Sequence, residues 1–149
     1  VAADFLAEHR QDVSYSFYLA NIIRTPSYVS SWAALQYYNL ATEAIHSVTS
    51  VTPKVTRTYE TRTENFSYQS INKRYFTDFV LVHGTFDFFI ATPAKALFDL
   101  LYFRTHQFRG VSREQVEALI EDLRIEVDEM KKGERERFDE MVGKALRQV

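Results

Sequence analysis

Residues 45–52 read IHSVTSVT, a stretch that decides the fold because it is rich in β-branched residues and follows the two-residue period of a β-strand. Pro53-Lys54 then predicts a turn. Residues 55–61 continue with the same alternation, and residues 66–71 repeat it after a polar, turn-like segment. These three segments predict three successive strands.

A hairpin is predicted downstream, where residues 79–83 and 86–91 are joined through Gly84-Thr85. Upstream, Tyr28 and Val29 are predicted to form a short extended piece after Pro26, which stops any helix before it. The segments together predict an α+β fold with a mainly antiparallel sheet of about five strands.

Helices are predicted before and after these strands. The N-terminal ones cover residues 2–10, 15–23 and 32–38, the last with Ser30 or Ser31 as its cap. The helix over residues 93–103 is predicted to be buried almost all round, and it starts well because Thr92 precedes Pro93 at the first helical position.

The composition divides after residue 108. Residues 1–108 contain 9 basic and 9 acidic side chains and 21 of the 22 aromatic residues, whereas residues 109–149 contain 9 basic and 11 acidic side chains. We interpret residues 1–108 as an α+β core and residues 109–149 as a charged helical hairpin packed on it, within a single domain.

The hairpin is predicted from a capping box at Ser112 and Gln115, an interruption at Gly133 and a last helix over residues 134–148. An apolar seam with heptad-like spacing would also permit a homodimer. The seam consists of Val116, Ile120, Leu123, Val127 and Met130.

Several classes of site are excluded by composition. The chain has 149 residues, no cysteine and a net charge of −2, so disulfides and thiolate metal sites are impossible, and the cytoplasm is the expected compartment. No apolar run is long enough to span a membrane. The four histidines lack the helical metal spacing, and the four glycines are too scattered for a phosphate loop. We therefore expect no cofactor, no metal site and no catalytic residue.

The segment from Lys54 to Arg74 is locally basic, with five cations against two glutamates. Its cations are interleaved with aromatic residues, so one sheet face could present guanidinium groups beside rings to a phosphate-bearing partner or an acidic protein. A solvated strand face explains the pattern equally well. The candidate binding residues are Lys54, Arg57, Arg62, Lys73 and Arg74, with Lys95 as a possible sixth.

A metal-dependent nuclease is a further alternative, because Asp78 and Asp87 in or beside the hairpin could bind a divalent cation. The acidic-x-Lys triplet that usually accompanies such carboxylates occurs only at residues 129–131, in a charged helix. Asp87 is better interpreted as a polar residue on a half-exposed strand.

Two segments carry a family resemblance. Residues 26–40, PSYVSSWAALQYYNL, followed by residues 48–52, VTSVT, and Arg57, resemble the central signature of AbiEi antitoxins, which belong to type IV toxin–antitoxin (abortive infection) systems. Residues 91–102, ATPAKALFDLLY, resemble the second signature of that family.

The resemblance implies an antitoxin and transcriptional regulator that is not an enzyme. Its C-terminal domain would neutralise a nucleotidyltransferase-like toxin, without necessarily forming a stable complex, and an N-terminal winged helix would bind the promoter of its own operon. Because the first signature begins within thirty residues of Val1, most or all of the winged helix is expected to be missing here.

Lys95 and Asp99 are the polar residues of the second signature and lie four residues apart. An ion pair at the edge of a buried helix is the favoured interpretation. The alternative is that Lys95 joins the basic strand face.

Overall fold

The computed structural model of the protein describes residues 13–42 and 47–147. These residues form six strands and five α-helices in a mixed α+β arrangement. The helices are α1 (Ser14–Ile23), α2 (Ser31–Tyr37), α3 (Pro93–Arg104), α4 (Arg113–Asp122) and α5 (Lys132–Arg147). The strands are β1 (Tyr28–Val29), β2 (Ser47–Thr52), β3 (Arg57–Glu60), β4 (Asn65–Ser70), β5 (Phe79–Val82) and β6 (Phe88–Ala91).

The six strands form one sheet in the order β3-β4-β2-β1-β6-β5. The predicted hairpin is confirmed as the antiparallel pair β5–β6, and β3–β4 and β1–β2 are also antiparallel. The pairs β2–β4 and β1–β6 are parallel. The sheet therefore has six strands, where about five were expected. Its middle is mixed because β1 pairs antiparallel with β2 and parallel with β6, and β2 pairs parallel with β4.

Helices cover both faces of the sheet centre. Successive residues of a strand point to opposite faces, so Val29 and Tyr28 of β1 face different helices. On the face of Val29, α1 packs through Phe17, whose ring lies 5.3 Å from that of Phe88, centroid to centroid. On the opposite face, the hydroxyl of Tyr28 donates a hydrogen bond to Asp99 of α3. The predicted burial of α3 is confirmed, since its side chains from residue 94 to residue 102 are buried.

The predicted starts of two helices are confirmed. The Thr92 hydroxyl accepts a hydrogen bond from the Lys95 amide, and Ser112 and Gln115 form a reciprocal capping box. Ser30, one of the two predicted caps, is the N-cap residue of α2, but its side chain makes no capping hydrogen bond. The hydroxyl that accepts from the Ala33 amide belongs to Thr49 of β2, at 3.0 Å, while the Ser30 side chain bonds elsewhere.

The C-terminal part contains the predicted pair of helices, but the heptad seam is wrong. Helix α4 ends at Asp122, and Arg124 adopts a left-handed conformation with φ of 57°. Residues 127–129 then form a separate 3₁₀ turn, so the seam residues do not lie on one helix. The predicted interruption lies before Gly133 and not at it, because α5 begins at Lys132 and Gly133 is its second residue. Helix α5 packs on α3, and Phe138 and Val142 belong to the same hydrophobic core as Leu97.

The predicted helix over residues 2–10 lies outside the described residues, as do residues 45 and 46 of the predicted first long strand. In the two described stretches, none of the helices has the length and apolarity that crossing a membrane requires.

Candidate functional site

Four polar side chains form a hydrogen-bonded network at the centre of the molecule. The Lys95 ammonium is 2.6 Å from Asp99 Oδ1 and donates to the Tyr28 hydroxyl at 2.7 Å. Asp99 Oδ2 accepts hydrogen bonds from the hydroxyls of Tyr28, at 2.9 Å, and Ser30, at 2.7 Å. We call Tyr28, Ser30, Lys95 and Asp99 the buried network.

All four members of the buried network are at most 1% exposed. Burial raises the pKa of the Asp99 carboxyl, while Lys95 and the hydroxyls of Ser30 and Tyr28 oppose that rise. Burial also raises the pKa of Tyr28, and the neighbouring Asp99 raises it further. Tyr28 therefore remains a neutral hydroxyl that can both donate and accept, which is how it connects Lys95 to Asp99.

The Tyr28 ring is held in place on its other side by aromatic contacts. It stacks on Phe79 of β5 with a centroid distance of 4.7 Å and lies 5.1 Å from the Phe76 ring. The Lys95 ammonium lies 5.3 Å from the centroid of the same ring. The network and the Tyr28 ring therefore connect β1, α3 and the start of β5.

The expected ion pair between Lys95 and Asp99 is confirmed, but it lies in the core and not at the edge of a helix. Lys95 does not belong to the basic strand face, because its side chain is 1% exposed and bonds to Asp99 and Tyr28. The spacing of four residues indicated the pair. Nothing in the local sequence indicated the two hydroxyls, which come from a segment more than sixty residues earlier.

The five remaining candidate cations are all exposed, and the sheet topology divides them. Lys54 follows β2, Lys73 and Arg74 follow β4, and Arg57 begins the antiparallel strand β3. Since β2 and β4 are parallel, these four residues lie at one end of the sheet. Arg62 lies in the β3–β4 connection at the other end, beyond a four-residue strand that spans about 10 Å.

Arg24, which the sequence did not single out, lies at the same end of the sheet as the four cations. Its guanidinium donates to the Val55 carbonyl at 3.0 Å and to the Tyr59 hydroxyl at 3.4 Å. Arg57 also reaches the Tyr59 hydroxyl, at 3.5 Å, with its guanidinium 5.9 Å from the ring centroid. Hydrogen bonding from Arg57, with a smaller contribution from Arg24, lowers the pKa of Tyr59.

We call Arg24, Lys54, Arg57 and Lys73 the basic end of the sheet. It combines positive charge with the ring of Tyr59, as the sequence predicted for Arg57 and Tyr59 on one strand face. Arg74 belongs partly elsewhere, since its guanidinium lies 4.9 Å from the centroid of the Tyr75 ring and it lines a cleft against α3 and α5.

The two carboxylates of the nuclease alternative contact other side chains of the protein itself. Asp78 forms a bidentate ion pair with Arg137 at 2.9 and 3.0 Å, and Asp87 is 3.1 Å from His83. Arg137 lowers the pKa of Asp78. Across residues 13–42 and 47–147, no group of three or more metal-ligating His, Cys, Asp or Glu side chains is assembled.

Comparisons with protein families, with curated proteins and with solved structures found no match to this chain.

Proposed function

We propose that the chain is the antitoxin and regulatory domain of a bacterial type IV toxin–antitoxin system. In this proposal it acts in the cytoplasm, is not an enzyme and neutralises a nucleotidyltransferase-like toxin. The full-length protein would also repress its own operon, through an N-terminal winged helix on the promoter DNA.

The buried network is the observation that supports the proposal. Tyr28 and Ser30 belong to the segment that resembles the first AbiEi signature, and Lys95 and Asp99 belong to the segment that resembles the second. Hydrogen bonds of 2.7 to 2.9 Å join the two segments in the core. The two segments with the family resemblance are distant in sequence, and their polar residues are hydrogen-bonded to each other in the fold.

Coexpression with the product of the adjoining gene tests the proposal. We expect the adjoining product to stop growth when expressed alone, and growth to recover when the full-length parent of this chain is expressed with it. The control is the same parental gene with an early stop codon, which should not restore growth. A harmless neighbour, or toxicity that persists beside the folded protein, would contradict the proposal.

A nucleic-acid-binding module is the second candidate, and the basic end of the sheet supports it. Lys54, Arg57 and Lys73 are exposed there, and Arg24 and Arg57 lie against the Tyr59 hydroxyl. Cations beside an aromatic ring suit a phosphate backbone, and such binding weakens steeply as the salt concentration rises.

A gel-shift titration at several salt concentrations tests the second candidate. The triple variant Lys54→Ala/Arg57→Ala/Lys73→Ala should weaken binding and reduce the slope of log affinity against log salt by about 0.9 per lost phosphate contact. The matched control Arg62→Ala/Arg109→Ala/Lys131→Ala removes the same charge from exposed positions elsewhere. No shift at low salt, or equal loss in both triple variants, would contradict a specific role for this end of the sheet.

A further inference from the structure

A cleft of about 280 Å³ lies between the segment that follows β4 and helices α3 and α5. Four cationic side chains from these three elements line it, together with apolar side chains that include Phe98 and Met141. The cations are Arg74, Lys95, Arg137 and Lys144. Arg74 and Lys144 are exposed and mark the solvent side, whereas the buried Lys95 marks the floor.

The Lys95 ammonium has one more donor than its partners use. An ammonium group has three N–H bonds. Two of them are directed to Asp99 and the Tyr28 hydroxyl. Among the described residues no oxygen or nitrogen accepts the third, although the Phe98 ring centroid lies 5.6 Å away. A buried side chain that lines the cleft thus retains a charged donor.

The other three cations also have more donors than acceptors. No carboxylate in the described part of the chain pairs with Arg74, whose guanidinium lies over the Tyr75 ring. Arg137 uses three of its five N–H bonds on Asp78 and Glu140. Lys144 is 3.4 Å from the same Glu140. The cleft therefore combines excess donors and an unpaired arginine with an apolar wall.

We propose that this cleft binds a phosphate monoester group. A phosphate dianion presents three strong acceptor oxygens and a charge of about −2, which matches several cationic donors lining one cleft better than a single carboxylate does. The volume of about 280 Å³ is close to the lower end of small-molecule pockets, about 300 Å³, so the cleft accommodates a phosphate with part of its esterified group. Phe98 and Met141 provide an apolar surface for that group.

A phosphate monoester has two plausible sources, a free nucleotide and the 5′ end of a nucleic acid strand. This inference does not rest on the antitoxin proposal, although Lys95 belongs both to the buried network and to the floor of the cleft. It also does not require the basic end of the sheet, since Lys54, Arg57 and Lys73 do not line the cleft.

Calorimetric titration of the complete chain at low ionic strength tests the proposal. The probes are inorganic phosphate, adenosine 5′-monophosphate, and one oligonucleotide with either a 5′-phosphate or a 5′-hydroxyl. We expect inorganic phosphate to bind, and Arg74→Ala and Lys144→Ala each to weaken it about tenfold, as loss of one charge-assisted hydrogen bond does. Tighter binding of the nucleotide indicates the free ligand, and preference for the 5′-phosphorylated strand indicates a strand end.

Two matched variants control for general electrostatics. Arg62→Ala removes an exposed arginine at the far end of β3, and Lys132→Ala removes an exposed lysine on the same helix as Lys144. Both should bind inorganic phosphate as the unchanged chain does.

Absence of binding by all four probes would overturn the proposal. Equal weakening by Arg74→Ala and Arg62→Ala, or by Lys144→Ala and Lys132→Ala, would overturn it as well, since it would show attraction to net charge and not to the cleft.

Discussion

Two lysine–carboxylate pairs in this protein have the same spacing and opposite surroundings. Lys95 and Asp99 on α3 are 2.6 Å apart with side chains 1% and 0% exposed, whereas Lys132 and Glu136 on α5 are 3.9 Å apart and 91% and 66% exposed. Both are separated by four residues on a helix. The spacing therefore indicates which charged side chains can form an ion pair. Burial decides how much that pair contributes to the free energy of unfolding.

The physical reason is the cost of removing charge from water. A buried ammonium or carboxylate loses its hydration, so each depends on the partner that replaces the lost water. The Lys95–Asp99 pair is also extended by the hydroxyls of Tyr28 and Ser30. An exposed pair competes with solvent and salt, which leaves it little net effect.

The largest effect is expected from Asp99→Ala. The change leaves the Lys95 ammonium in the core without its carboxylate, and we expect the free energy of unfolding to fall by about 3–5 kcal/mol. Urea denaturation followed by circular dichroism measures this loss. A loss below about 1 kcal/mol would show that the network does not hold the core together.

The double variant Lys95→Met/Asp99→Ala sharpens this prediction. It removes both charges, so no unpaired ammonium remains, and we expect the double variant to be more stable than Asp99→Ala alone. The same denaturation experiment provides the coupling energy. If the losses in the free energy of unfolding of Lys95→Met and Asp99→Ala simply added up in the double variant, that would contradict a direct interaction between the two charges.

Tyr28→Phe should have an intermediate effect, because it keeps the ring and removes only the hydroxyl that connects Lys95 to Asp99. We expect a loss of about 1–3 kcal/mol, the usual cost of leaving buried polar groups short of a partner. The matched control is Tyr37→Phe, since Tyr37 is 38% exposed. If both variants lost the same stability, the hydroxyl of Tyr28 would have no special role.

The Asp78–Arg137 ion pair lies between the two extremes of the comparison, with the Asp78 side chain 19% and the Arg137 side chain 38% exposed. Arg137 lowers the pKa of Asp78 in the folded protein. The stabilisation of the folded protein by this ion pair is therefore complete above the ordinary carboxyl pKa of about 3.9, which applies to the unfolded chain. It is lost as the pH falls through the lowered pKa of the folded protein. Because Arg137 is partly solvated, we expect at most about 1 kcal/mol at neutral pH.

Asp78→Asn tests this pH dependence. Asparagine tolerates the left-handed backbone of residue 78, whose φ is 58°, so the change removes the charge without adding strain. The difference in stability between the two proteins should be present at pH 6 and shrink towards zero in strong acid. A difference that stays constant with pH would rule out the charge as its cause.

Local features of the fold were predictable from the sequence, and long-range ones were not. The caps at Thr92 and Ser112 depend on residues within one helical turn, and both are confirmed. The seam from Val116 to Met130 was wrong because the left-handed turn at Arg124 ends the helix while the apolar spacing continues.

The same distinction explains the candidate sites. The Lys95–Asp99 pair followed from helical spacing, but its burial depends on α5 and β1, which no local pattern places. Arg24 was missed because it reaches Val55 and Tyr59 only once β2 and β3 have formed beside α1. Arg62 was grouped with Arg57 along the chain, although an antiparallel strand separates them to opposite ends of the sheet.

The smallest effect is expected from Glu136→Gln, which removes the charge that pairs with Lys132 and keeps the size and helix preference of the side chain. Because both side chains are mostly exposed, the change in the free energy of unfolding should stay below about 0.5 kcal/mol and shrink further in 0.5 M salt. Urea denaturation at two salt concentrations checks both statements. A loss comparable to that of Asp99→Ala would mean that the spacing itself stabilises the helix, and the comparison between the two pairs would then no longer hold.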